Sequence, residues 1–225
     1  NYNTLLFRSN YENYNWDNEF DNSVTNSISL DLILSNILDL DIDLISVKKH
    51  VQFEKLIDDN SSGINNYSIV PVQHLDNLEV LKIKLARKIK FGKFSIDSKL
   101  LLQKTMSDNI INLPEIVSRN TFYYSTDMFK KALYLQTGFG VKYFSKFYMN
   151  GYDPLLSELY VQSDKEIGEF PLIDFFINAK IQQTRLYFKF EHFNSSFTGY
   201  NYYSAPNYPY RDFTFRFGLV WNFFM

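Results

Sequence analysis

The chain has 225 residues and a formal net charge of -2, enough length for one sizeable domain and too little charge for a general polyanion partner. It contains no cysteine, which excludes a disulfide framework, thiolate metal ligands and a cysteine nucleophile. Aromatics make up 18% of residues, with 22 Phe and 17 Tyr, a composition that suits either the girdles of a membrane barrel or the large core of a soluble sandwich.

No apolar run approaches the roughly 20 residues a transmembrane helix needs. Mean hydropathy is -0.25, which is compatible with a membrane barrel because half of its strand positions face water. With no initiator Met and no signal segment, the chain reads as a mature protein or a fragment.

The period-2 pattern of a strand with one apolar and one wet face recurs about ten times. The first predicted strand is Thr4–Tyr11. Ile28–Val47 is a long alternating stretch folded near Asn36. It sets Ile28, Leu30, Leu32, Leu34, Leu38, Leu40, Ile42 and Leu44 against Ser29, Asp31, Ser35, Asp39, Asp41 and Asp43. Val80–Lys90 sets Leu81, Ile83, Leu85 and Ile89 against Lys82, Lys84, Lys88 and Lys90. Lys93–Lys104 sets Phe94, Ile96, Leu100 and Leu102 against Ser95, Asp97, Lys99 and Gln103. A weaker strand covers Asn120–Ser125, and a long one Ala132–Tyr148. Leu172–Ile181 and Arg185–Phe193 follow. The last segment places Phe213, Phe215, Phe217, Leu219, Trp221 and Phe223 on one face, with Thr214, Arg216, Gly218, Val220, Asn222 and Phe224 on the other.

The connections alternate in length. Those near Asn36, Phe91–Gly92, Thr126–Lys131 and Gln182–Thr184 are short. Those over Glu12–Ser27, Phe53–Glu79, Thr105–Arg119, Asn150–Phe170 and Asn194–Tyr210 are long. Short turns at one rim and long loops at the other are the build of an outer-membrane barrel.

Asp39, Asp41 and Asp43, with Asp31 near them, allow a Ca²⁺ site in principle. The spacing along one strand fits an acidic stripe on a wet wall better. Lys82, Lys84, Lys88 and Lys90 form the opposite stripe. The aromatics among them face the other side, so no stacking platform for nucleic acid forms. Together the stripes either set a transverse field across a lumen or pair with one another and keep it wet. His50, His74 and His192 are scattered and show neither metal spacing nor a Ser/His/Asp arrangement, so no enzyme and no cofactor is expected. Tyr200, Tyr202, Tyr203, Tyr208 and Tyr210, in the Asn194–Tyr210 loop, either bind a partner through flat amphipathic rings or pack the loop down as a girdle.

Specific stretches carry a resemblance. They are Gly92-Lys-Phe-Ser-Ile-Asp, Leu113-Pro-Glu-Ile, Phe129-Lys-Lys-Ala-Leu-Tyr-Leu-Gln-Thr-Gly138 and Tyr143-Phe-Ser-Lys-Phe-Tyr-Met-Asn-Gly-Tyr-Asp-Pro154. Glu158-Leu-Tyr-Val-Gln162, Phe170-Pro-Leu-Ile-Asp-Phe-Phe-Ile-Asn-Ala-Lys-Ile181 and Phe188-Lys-Phe-Glu-His192 continue it. It closes on Ala205-Pro-Asn-Tyr-Pro-Tyr-Arg-Asp212 and Arg216-Phe-Gly-Leu-Val-Trp-Asn-Phe-Phe224. Over residues 80–225 the chain resembles the putative porin family of Bacteroidetes outer membranes, while residues 1–79 fit by pattern alone. The resemblance implies that the chain is the C-terminal portion of a larger barrel.

The expected fold is all-β, a transmembrane antiparallel up-and-down barrel of about ten strands spanning residues 1–225. The expected lumen-facing residues are Asp31, Asp39, Asp41, Asp43, Lys82, Lys84, Lys88, Asp97, Lys99, Lys142, Asp174, Lys189, Glu191 and Arg216. The expected lipid-facing residues are Phe175, Phe188, Phe190, Phe213, Phe215, Phe217, Trp221 and Phe223. The expected function is an outer-membrane channel for passive diffusion of small polar solutes. Its expected partners are lipid, those solutes and other outer-membrane proteins at the Asn194–Tyr210 loop. The alternatives are a structural barrel subunit of a secretion or nutrient-import complex, and a soluble ligand-binding barrel of lipocalin type. Alternation by itself does not say which face is inside.

Overall fold

The computed structural model describes residues 4–11, 14–34, 38–57, 67–107, 110–197 and 202–223. Nine strands of the described residues form one antiparallel sheet, each hydrogen-bonded to its sequence neighbours in the sheet. They are β1 (Val24–Leu34), β2 (Leu38–Lys48), β3 (Leu78–Phe91), β4 (Phe94–Thr105), β5 (Ile116–Met128), β6 (Leu133–Phe144), β7 (Leu172–Ile181), β8 (Thr184–Glu191) and β9 (Thr214–Trp221). The all-β, up-and-down expectation holds in this sheet. Closure does not follow among the described residues, because β1 and β9 are its two outer strands.

The expected first wall strand is corrected. Residues 4–7 form one helical turn, and Arg8–Tyr11 pairs only with Tyr14–Asp17 in a small hairpin. The apolar run there does not alternate, so it has no face to add to a sheet. Leu6, Tyr14 and Trp16 instead pack on the buried cluster of Phe53, Ile69 and Leu156. The fold near Asn36 lies outside the described residues. Phe213 and Phe223 flank β9 rather than belonging to it.

Short turns join the strands at one rim. Gly92 takes φ 58° between β3 and β4, a left-handed value that a two-residue hairpin turn needs and that glycine adopts without steric cost. The long connections at the other rim are not bare loops. Val51–Ile57, Tyr67–Gln73, Gly151–Asp153 and Glu158–Val161 make a separate four-stranded sheet. Asp153 fastens this layer. Its Oδ1 accepts from the Leu155 and Leu156 amides at 2.9 Å, and its Oδ2 accepts from Tyr14 Oη at 2.8 Å.

Candidate functional site, the charged sheet face

Direct partners across an antiparallel pair share a face, so the registers assign faces without further assumption. Asp31 faces Asp41, and Asp41 faces Lys84. Lys88 faces Asp97, Lys99 faces Arg119, and Arg119 faces Lys142. Gly140 faces Asp174, and Lys189 faces Arg216. All fourteen charged residues singled out in the sequence therefore stand on one face, and every one of the nine strands contributes a charge to it. Arg119 on β5 belongs to the same face and completes the series.

The opposite face carries an unbroken row. Ile89 faces Ile96, Ile96 faces Phe122, and Phe122 faces Phe139. Phe139 faces Phe175, Phe175 faces Phe190, and Phe190 faces Phe215. Ring centroids in this row are 5.0 Å apart for Phe139–Phe175, 5.8 Å for Phe175–Phe190 and 5.1 Å for Phe190–Phe215. Such pairs add about 0.5–1.5 kcal/mol each beyond burial. The rings are nevertheless open on their outer side: Phe217 is 70% exposed and Phe223 73%. The row above is less apolar on β3 to β5. Arg87 faces Ser98 and Ser98 faces Asn120, with Asn120 Nδ2 donating to Ser118 Oγ at 2.7 Å.

The acidic and basic stripes lie on adjacent strands, β2 and β3, rather than on opposing walls. Asp43 accepts from Ser29 Oγ at 2.7 Å and pairs with Lys84 Nζ at 3.2 Å. Among the described residues no group of His, Cys, Asp or Glu is placed to hold a metal ion.

A second charge cluster sits on β6 to β9. Asp174 Oδ2 lies 3.2 Å from Lys142 Nζ and 3.1 Å from Lys189 Nζ. Glu191 pairs with Lys189 at 2.8 Å, Arg211 at 2.6 Å and Arg216 at 3.0 Å. Both carboxylates are buried, with side chains 8% exposed, while the cations around them stay partly open to solvent. The two acids hold four cations in place, leaving the cluster net positive. Arg211 comes from the loop and was not among the sequence candidates, because nothing in its local pattern marks it.

The long-loop end of this face is covered. Ile45 faces Val80 and Val47 faces Leu78, on the same side as the lysines. Leu78 and Val80 bury against Ile110, with Val47, Ile111 and Leu113 packed around them. The β4–β5 connection thus folds over the mouth of the charged face. Side chains pin it: Gln103 Nε2 donates to the Pro114 carbonyl at 2.8 Å, and Asn112 Nδ2 to the Gln162 carbonyl at 2.8 Å. A polar cavity of about 380 Å³ beside it is lined by Glu54, Lys55, Asn112, Tyr148, Gln162 and Asp164, among others.

The histidines are not all isolated, contrary to expectation. His74 Nε2 lies 2.6 Å from Glu54 Oε1 and 3.2 Å from Gln52 Nε2, and His50 Nε2 lies 3.1 Å from Gln52 Oε1. Burial lowers the His50 pKa from its ordinary 6.5. The covered antiparallel pair Val51–Ile57 and Tyr67–Gln73 brings these residues together, which separation along the chain conceals. His192 is 1% exposed, and its backbone amide donates to Asp174 Oδ1 at 3.0 Å.

In the Asn194–Tyr210 loop, Tyr200 lies outside the described residues. Tyr202 is buried, its ring 4.4 Å from His192 and its hydroxyl donating to the Ser195 carbonyl. Tyr203 lies under Lys165 at 3.9 Å and Tyr210 packs on His192 at 5.5 Å. Tyr208 is exposed. Tyr202 and Tyr210 thus hold the loop against His192 at the end of β8, and Tyr203 packs on the neighbouring loop.

The sheet carries charge on one face and exposed aromatics on the other, and a family model described as a putative porin matches residues 1–225. The chain belongs to the putative porin family. The match includes residues 1–79, where the sequence supplied pattern alone. Comparison with curated proteins and with solved structures gives no match.

Proposed function

We propose that this porin-family chain forms wall of an outer-membrane β-barrel through which small polar solutes diffuse passively. The observation that carries the reading is the two-faced sheet. Its charged face runs across all nine strands, and its aromatic face leaves rings such as Phe217 70% exposed. A continuous exposed apolar surface of this kind is an aggregation liability in water and is at home against acyl chains. A bilayer admits only helices and closed sheets, because unpaired backbone groups are costly there. The charged face then lines a wet path, with the acid and lysine stripes and the Asp174–Glu191 cluster filtering solutes by size and charge. No covalent chemistry is part of the mechanism.

A second reading has its own support. Ile110, Ile111 and Leu113 fold over the mouth of the charged face, as a plug would in a barrel that scaffolds an import or secretion assembly. Exposed Tyr208 in the Asn194–Tyr210 loop would then meet a partner protein. Planar-bilayer recording separates the two. Stepwise ion conductance from the full-length protein is expected for the pore, and its complete absence favours the scaffold. A refolded chain that stays monomeric in detergent-free buffer and does not float with liposomes would sink both.

A further inference from the structure

We infer that Lys99, Arg119 and Lys142, ranged beside an open hollow at Gly140, form a binding site for a divalent tetrahedral oxyanion such as phosphate. The inference rests on the pore reading above and deepens it by naming the class of solute held on the charged face.

Register makes the site. Lys99 on β4 faces Arg119 on β5, and Arg119 faces Lys142 on β6. Three cations thus stand abreast on adjacent strands, with Cβ atoms about 4.5–5.5 Å apart across each pair. Like charges so placed repel. Lys99 and Arg119 are exposed, and among the described residues no carboxylate lies within ion-pair distance of either. Lys142 Nζ touches Asp174 at 3.2 Å, but an ammonium has three donors, so others are left for a ligand. The carboxylates bordering the site are engaged from elsewhere. Asp174 also holds Lys189 at 3.1 Å and accepts from the His192 amide at 3.0 Å, and Asp97 stands opposite Lys88. An anion over Arg119 offsets a repulsion that the sheet itself does not relieve.

The space for it is at Gly140. This residue lies two positions before Lys142 on the same face, with Thr121 and Asp174 as its direct partners. A Cβ added there would meet no heavy atom within 4 Å. At Gly138, next along the face, it would lie 2.7 Å from Tyr123 Cβ, so the opening is particular to Gly140. Thr121 brings a hydroxyl to its edge, and Arg119 is its diagonal neighbour.

The donors select the ion. The planar fork of an arginine binds two oxygens of one oxyanion at once, and the two lysines flank it. A tetrahedral ion has four oxygens to share among three cations and charge enough to balance more than one. A carboxylate has two oxygens and one charge, and chloride has no oxygens.

The test is the ³¹P line broadening of inorganic phosphate by detergent-solubilised full-length protein, titrated at ionic strength held constant with chloride. Saturable broadening is expected, with sulfate competing and acetate not. In Arg119→Gln the apparent affinity is expected to fall at least about tenfold, as when charge-assisted hydrogen bonds are removed. Gly140→Leu fills the hollow without altering a charge and is expected to lose as much. Broadening that does not saturate, or parent-like affinity in Arg119→Gln, overturns the inference, and parent-like affinity in Gly140→Leu overturns the placing of the ion. Lys99→Gln, at an exposed position, stands in for a variant that fails to fold, and parent-like affinity there counts equally against the site. Conductance is read separately in planar bilayers. A conducting protein that does not bind phosphate sinks the inference and leaves the pore, while saturable binding in a protein that never conducts sinks the pore reading and leaves the anion site.

Discussion

Lys84 stands opposite Asp41 in the β2–β3 register, yet its Nζ reaches the diagonal neighbour Asp43 at 3.2 Å. Lys82 faces Asp43 directly. The acidic and basic stripes are therefore one interlocked surface, partly neutralised across the pair.

Reversing both lysines, Lys82→Glu with Lys84→Glu, turns this strip wholly acidic. The reversal potential across an asymmetric salt gradient is expected to move toward cation selectivity. The shift is largest in dilute electrolyte, because the screening length is about 10 Å at 0.1 M salt and longer below it. An unchanged reversal potential would show that these side chains do not line the path. Folding is expected to suffer little from loss of the exposed Lys84–Asp43 pair itself, because solvent screens such a contact.

Asp174 is a different case, because its side chain is 8% exposed and it serves Lys142, Lys189 and the His192 amide together. Removing one partner of a buried charge cluster costs about 3–5 kcal/mol. Asp174→Ala is expected to lower the thermal melting midpoint markedly, followed by circular dichroism, with Asp174→Asn losing less because it keeps an acceptor. Parent-like melting of the alanine variant would contradict the role given to this cluster.

The nine-stranded sheet is legible because period 2 assigns each residue to a face before any pairing is known. Leu172–Ile181 came out of the sequence with the observed bounds, and all fourteen charged candidates share the observed face. For β5 the alternation predicts only Asn120–Ser125, whereas the strand runs Ile116–Met128. Ser118 and Asn120 sit on its otherwise apolar face and hydrogen-bond to each other, which breaks the alternation that marks a strand. The loop layer was hidden for another reason. Its core joins Phe53, Ile69 and Leu156, and no local pattern reports a contact over such separations. The same holds for Arg211 at Glu191 and for His50 meeting His74.

Tyr14 gives an alkaline test of that layer. Burial first, then the hydrogen bond it donates to Asp153, raise its pKa from 10.0 to about 12. A raised folded-state value means that the stabilisation is full below pH 10 and is lost as pH climbs through about 12. Limited proteolysis of the loop layer is expected to accelerate over that window. Tyr14→Phe should remove this dependence, at a cost of about 0.5–1.5 kcal/mol for the lost hydrogen bond. An alkaline transition unaltered in the phenylalanine variant would refute the assignment.

His50 sets the acid limit. Burial is the larger influence and lowers its pKa from 6.5, against the Gln52 hydrogen bond, which raises it. A depressed folded-state value gives stabilisation that is present above pH 6.5 and lost as pH falls below it. His74 and Glu54 face the same site, His74 adding repulsion and Glu54 attraction once His50 charges. Protection of the Val51–Ile57 amides, taken relative to their intrinsic exchange rates, is expected to fall on acidification, and His50→Gln should flatten that response. A variant that keeps the acid response would place its origin elsewhere.

Residues 1–225 contain no cysteine, so Lys84→Cys in the full-length protein, with any cysteine elsewhere replaced by serine, tests the lining of the path most directly in a planar bilayer. A charged, membrane-impermeant thiol reagent is predicted to react there and to change the single-channel conductance, while Phe217→Cys on the aromatic face stays unmodified. Modification of Phe217→Cys by the aqueous reagent, or full labelling of Lys84→Cys with no change in conductance, would contradict a pore lined by the charged face.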